Sequence, residues 1–313
     1  TAEGKKLLKD DKDLRDKITS QGLNRVVAEG ADTNKSALFC LAGSAERILL
    51  KVDEDLRDKI TAQGLNAVVA GGQDRGKSAL LLLASFNEGL ELLVDDEDLR
   101  DKITTEGLNA VVAEGEYQGY SALWFLSGSS EGRQLLIEDA GLRGKITAEG
   151  LNAIIPGGEH KNCSALIFLA ANHEGRQLFI NDPDLRSKIT APGLNASVAE
   201  GPFKGESALY FLASDPEGRQ LLIDDEVFRS KITPEGLNAI AAEGESKGVS
   251  ALLNLASTSE GRQLLIDDEV LRGKITDEGL NAIIDEGPDK GKSALWYLAA
   301  NPEGLLISYA DLR

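Results

Sequence analysis

The sequence predicts an all-α protein, a right- or left-handed α-solenoid of about seven 43-residue helical repeats, and three observations carry that prediction. The triplet Gly-Leu-Asn recurs with its Asn at Asn24, Asn66, Asn109, Asn152, Asn195, Asn238 and Asn281. The triplet Ser-Ala-Leu recurs with its Ser at Ser36, Ser78, Ser121, Ser164, Ser207, Ser250 and Ser293. In both series five steps are 43 residues and the first is 42, and a fixed period of this size marks a stacked array. Third, Leu, Ala and Glu are abundant and no segment alternates apolar and polar residues for long, so strands are not expected.

The copies begin at Glu3, Glu46, Glu88, Glu131, Glu174, Glu217 and Glu260, with a partial eighth from Glu303. Residues 1–313 therefore read as one elongated domain. The stretch 217–259 shows the plan of four short helical pieces. The first, EGRQLLI, is opened by Asp215-Pro216 here and by Asn301-Pro302 later, a cap followed by Pro in the first turn. A pair of acids leads into the second, DEVFRSKI. Thr233-Pro234-Glu235 opens the third, with Thr as cap, Pro in the first turn and an acid where the helix dipole favours it. Leu237, Ile240 and Ala241 then fall on one side, and Glu243-Gly244 is expected to end the helix, with Gly in the left-handed conformation.

A loop of about five residues precedes the fourth piece, Ser250 to Ala256, and Ser250 and its six equivalents read as N-caps. One copy of this piece carries Leu209, Tyr210, Phe211 and Leu212, apolar nearly all round, which predicts a buried central layer. The apolar burial within one copy falls short of the entropy of ordering it, so stacking is obligatory. Lys5, Lys6 and Lys9 suit a solvent-facing first copy. Lys51 fills a slot for Ile or Val beside the one-residue deletion, so the second copy is expected to be irregular.

The phrase SALYFLASDPEGRQLL, Ser207 to Leu222, resembles the helix-turn-helix of ankyrin repeats, which a Thr-Pro-Leu-His start, a Leu-Ala-Ala run and a Leu-Leu close frame. The likeness covers about 16 of every 43 residues; the His is absent and the remaining segment reads as helical where ankyrin has a finger-like hairpin. The longer period is similar to armadillo units, so the chain resembles an ankyrin/armadillo-like α-solenoid. That resemblance implies a protein-binding surface, often concave, as in scaffolds and bacterial effectors.

The net charge of −18, from 52 acids and 34 bases, opposes affinity for nucleic acid or an anionic membrane and favours a partner protein or peptide of basic or mixed charge. No run of 18 apolar residues and no signal peptide is visible, and the chain is expected to act as a monomer in a cytoplasmic or host-cytosolic, reducing compartment. It contains no Met and starts and stops within the repeat, as a piece of a longer or processed protein would.

Nothing in the sequence has the setting of a catalytic residue, and neither an enzyme, a cofactor nor a metal is expected. His160 and His173 each occur in one copy, in or beside turns, and read as surface residues. Cys40 stands where other copies mostly carry Phe or Leu on the fourth helix and is expected in the core. Cys163 lies in a variable loop and is expected to be exposed. The acid pairs Asp224-Asp225 and Asp267-Asp268 lack the spacing of a calcium loop and read as caps. Each Asn of Gly-Leu-Asn is expected to be buried in a ladder of bonds to loop backbone, and Arg229 and Lys231 to pair with acids of the next copy.

Recognition is then sought where copies differ. The loops before Ser-Ala-Leu carry Tyr117, Tyr120, His160, Phe203 and Lys204, expected to line one edge as a continuous partner surface. The residues after it include Trp124, Tyr210 and Trp296, which read as core or as aromatic anchors. The expected function is a non-enzymatic protein- or peptide-binding scaffold; the alternatives are an acidic mimic of nucleic acid, the recruiting arm of a larger enzyme or effector, and an engineered array.

Overall fold

The computed structural model describes residues 2–300 apart from 31, 34, 202, 242, 244, 245 and 288. The partial eighth copy from Glu303 and the Asn301-Pro302 cap lie outside the described residues. The protein is all-helical: among those residues there are 28 α-helices, one 3-10 helix and no strand, only two isolated bridges, Val27 with Thr33 and Ile240 with Ser250. Two compact parts divide between Ala153 and Ile154.

Each copy holds four short helices, in the sixth Pro216–Asp224, Glu226–Ser230, Pro234–Asn238 and Ala251–Ser257. Their starts follow from side-chain caps that satisfy orphan N–H groups. Ser250 accepts from the Leu253 N–H at 3.1 Å, Thr233 from Gly236 at 3.1 Å and Asp225 from Phe228 at 2.8 Å. All seven Ser-Ala-Leu serines cap in this way.

In the first part the fourth helices Ala37–Ala42, Ala79–Ala84 and Ala122–Gly128 pack side by side in chain order. In the second part Ala165–Ala171, Ala208–Ser214, Ala251–Ser257 and Ala294–Ala300 do the same. Their Leu side chains are fully buried at Leu80, Leu83, Leu123, Leu126, Leu209, Leu212, Leu252 and Leu255. The following first helix crosses so closely that a Cβ on Gly218 would lie 2.4 Å from the Leu212 carbonyl oxygen. The Gly of the EGR phrase is therefore a packing residue.

Two expectations need correction. The third helix stops at Asn238 and not at Glu243-Gly244, because Asn238 bonds back to Pro234 O at 2.7 Å and Ala239 turns to extended backbone. Extended backbone suits the Ile and Val residues that follow in most copies. Second, the segment after it is hairpin-like and not helical: Ala241 N–H donates to Val249 O at 3.0 Å and Gly248 N–H to Ala241 O at 2.8 Å. Gly244 itself lies outside the described residues; left-handed glycines at the equivalent places, Gly72 and Gly115, turn this loop instead of ending a helix. The second copy is irregular at its deletion, where the first helix breaks into Ala45–Arg47 and Ile48–Val52 and Ser44 makes no capping bond.

Candidate binding surfaces

Within each part, repeated residues join one copy to the next. Asn66 Nδ2 donates to Ala62 O of its own helix and to Lys102 O of the next copy, both at 2.7 Å. Its Oδ1 accepts from the Thr104 N–H at 3.1 Å. The same three bonds form at Asn24, Asn109, Asn195 and Asn238. The expected ladder is present, though these side chains are half-buried, and both amide protons are committed to it.

A second set runs through arginine. Arg229 Nη1 donates to Leu222 O and Ile223 O at 2.7 and 3.0 Å, closing the last turn of the first helix, where a cation suits the dipole. Its Nε reaches Asp268 Oδ2 in the next copy, while Asp268 Oδ1 accepts from the Leu271 N–H at 2.8 Å. Equivalent pairs join Arg15 to Asp53, Arg57 to Asp96, Arg100 to Asp139 and Arg186 to Asp225. Burial alone would raise the Asp268 pKa; the Leu271 N–H and the Arg229 guanidinium outweigh it and hold the carboxyl below its ordinary value. Lys231 corrects its expectation. Arg229 already occupies Asp268, and the Lys231 ammonium turns to the Ser187 and Ile189 carbonyls of the preceding copy, at 3.1 and 2.6 Å.

The loop residues gather within each part. In the first, Tyr120 packs on Trp124 and Phe125 with ring centroids 4.6 and 5.4 Å apart, and Tyr117 joins them 5.8 Å from Tyr120. Lys77 sits over the Tyr117 ring at 4.4 Å, its ammonium held by Asp74 at 3.0 Å. Trp124 is 6% exposed and supports this cluster from within; Tyr117 and Tyr120 are half-exposed. In the second part Phe203 lies between Phe168 and Phe211 at 5.6 and 5.2 Å, with Tyr210 5.5 Å from Phe211. His160 lies beside the glycine turn at Gly201, where an added Cβ would be 3.5 Å from its Nδ1. Trp296 is 45% exposed and pairs with Tyr297. Lys204 is committed to Glu243 at 2.8 Å, and Lys247 and Glu286 repeat that bond one copy on, so much of the loop charge is matched internally.

The cysteines reverse their expected places. Cys40 is exposed, at a position that is half-buried at Phe125, Phe168 and Phe211 and buried at Leu82 and Tyr297, so the residue there is covered in later copies but not in the first. Cys163 is buried at the end of its loop, where its carbonyl accepts from the Ile155 N–H at 3.0 Å and its small apolar side chain is covered. Burial pushes its thiol up to about 12. His173 is exposed, 2.9 Å from Glu217. No cluster of metal-binding side chains occurs among the described residues.

A second surface, which the sequence analysis missed, lies on the helical face. A groove of about 700 Å³ in the second part is lined by Ile223, Arg229, Glu260, Gln263, Leu264 and Asp268, with Glu226, Glu269 and Val270 beside them. One copy earlier a groove of about 330 Å³ is lined by the equivalents Ile180, Arg186, Glu217, Gln220, Leu221 and Asp225. The sequence did hold a signal: Val227 and Val270, 73% and 70% exposed, stand where other copies carry Asp13, Asp55, Asp98, Gly141 and Asp184.

No family model, no curated protein and no solved structure matches this chain. Among the described residues no helix is long and apolar enough to cross a membrane.

Proposed function

We propose that the chain is an ankyrin/armadillo-like α-solenoid that binds a protein or peptide and carries out no catalysis. One observation supports this most: the polar residues common to all copies are spent on bonds within the array. Asn238 and Arg229 each tie their copy to the next. The positions that vary, by contrast, stand on loops and on the helical face. A regular frame with variable exposed positions suits recognition. The partner is basic or mixed in charge, since the chain carries −18. The interleaving of Lys204 with Glu243 and Lys247 with Glu286 does not favour a mimic of nucleic acid, which needs an unbroken acidic stripe.

The test is affinity capture from lysate of the source cells. Three baits are compared: wild type, a loop variant with Tyr117, Tyr120, Phe203 and Lys204 changed to Ala, and a control protein of equal net charge. A partner that the wild type captures and the control does not supports the reading, and loss from the loop variant places the contact on the loops. Failure to capture any protein beyond those held by the control overturns the reading.

A further inference from the structure

The larger groove in the second part differs from its neighbour in how the first-turn glutamate of the first helix is engaged. In the smaller groove Gln177 reaches across to Glu217 at 3.0 Å and His173 takes the same carboxylate at 2.9 Å, so Glu217 is already engaged. One copy later Gln220 turns back to Asp224 of its own helix at 2.7 Å. The groove beside Glu260 therefore stays open, and its volume is about twice as large.

Its lining is mixed in a particular way. Leu264 is 5% exposed and forms the base, while Ile223 and Val270 add apolar surface. Five acids stand around them, Glu226, Glu260, Asp267, Asp268 and Glu269, against one base, Arg229. Asp268 is bound to Arg229, Asp267 to Gln263 and Glu260 to Ser259. Glu226 and Glu269 have no ion pair among the described residues. An aliphatic stem that ends in a cation matches this arrangement: the stem covers Leu264 and Ile223 while the head meets a free carboxylate. A neutral apolar ligand would desolvate the acids, and an anion would be repelled.

The first part supplies an internal contrast. There Lys51 stands in the slot of Ile223 and Glu91 in that of Gln263, and the two form an ion pair. A cation belonging to the chain itself already answers the acid at that place.

We infer that the groove lined by Ile223, Leu264, Val270, Glu226 and Glu269 receives a segment of a partner protein in which lysine or arginine alternates with apolar side chains. This rests on the protein-binding function proposed above and names the site and the chemistry of its ligand. Glu226→Gln with Glu269→Gln removes the free carboxylates and leaves the Asn and Arg bonds between copies in place, and Val270→Ser removes apolar surface without adding charge. Glu54→Gln with Glu97→Gln removes equal charge at the equivalent positions of the second and third copies.

The test is fluorescence anisotropy on the full chain, with a labelled short peptide of alternating lysine and leucine and its glutamate-leucine counterpart. The lysine peptide is expected to bind and the glutamate peptide not to. Loss of two ion pairs should weaken binding about tenfold in the Glu226→Gln/Glu269→Gln variant. Val270→Ser should weaken it as well, and the Glu54→Gln/Glu97→Gln variant should bind like the wild type. A photo-reactive form of the peptide should label residues 223–270. No binding of the lysine peptide, or equal weakening in both charge-matched pairs, would overturn the inference, the second result showing attraction by net charge alone. A natural partner captured equally well by the Glu226→Gln/Glu269→Gln chain would sink the groove while leaving the protein-binding function standing.

Discussion

The carboxamide of Asn66 fills the space that a side chain on Gly107 would need: a Cβ built on Gly107 would lie 1.8 Å from Asn66 Oδ1. The same relation holds between Asn24 and Gly64, Asn109 and Gly150, Asn195 and Gly236, and Asn238 and Gly279. Gly and Asn thus appear together in Gly-Leu-Asn because the Asn of one copy docks on the Gly of the next.

Gly107→Ala should destabilise the protein by about 2–4 kcal/mol, since the methyl must displace a hydrogen-bonded carboxamide. Asn66→Ala should cost about 1–3 kcal/mol by leaving the Lys102 carbonyl and Thr104 N–H without their partner. The double variant should lose less than the sum, because the Oδ1 clash is gone. Urea denaturation of the four proteins measures this coupling, and strict additivity would refute the docking.

Replacing Arg229 with Lys keeps the charge but loses the fork that reaches Leu222 O, Ile223 O and Asp268 together. We expect a loss of about 1–3 kcal/mol, read by the same denaturation, with helix content unchanged in the native protein.

The Asp268 carboxyl has a folded pKa below its unfolded value of about 3.9. Its contribution is therefore fully present above about pH 4 and is lost as pH falls through the lower folded value. Melting temperature should drop on acidification below about pH 4. Asp268→Asn should be less stable than wild type at neutral pH, and the gap should narrow in acid. A constant gap from neutral pH to the acid limit would contradict this.

Native protein should expose one thiol. Cys40 is accessible, whereas the Cys163 thiol is buried and pushed up to about 12, so a disulfide reagent at pH 8 should modify Cys40 alone. Cys40→Ser should abolish the fast reaction, and denaturant should release the second thiol.

The period, the helical class and the Ser and Thr caps were legible in the sequence because each depends on residue type at a fixed spacing. The Asn ladder was legible too, since a polar side chain repeated beside an apolar run needs partners. What failed depended on direction. Glu243-Gly244 has the composition of a helix stop, yet Asn238 had already ended the helix with its own side chain. Cys40 and Cys163 exchanged their expected places because burial there depends on which neighbours cover the side chain, and not on whether it stands on a helix or in a loop. Lys204 reads as a free cation until Glu243, 39 residues on, is found beside it. The open groove rests on two substitutions and the side-chain directions that follow: Pro216 stands where His173 reaches Glu217, and Asp224, where Asn181 stands, draws Gln220 back to its own helix while Gln177 bonds across copies.

The central claim is a division of labour, in which repeated residues build the frame and variable surface positions bind. The most direct test is the affinity of the captured partner for two chains, Asn238→Ala and Glu226→Gln/Glu269→Gln, by calorimetry at a temperature where both are folded. The account predicts near wild-type affinity with lowered stability for the first, and weakened affinity with only about 1 kcal/mol of lost stability for the second, whose glutamates stand in the first turns of Glu226–Ser230 and Glu269–Arg272. Loss of affinity in folded Asn238→Ala protein, with the groove variant binding normally, would make the ladder itself the binding site and contradict the claim.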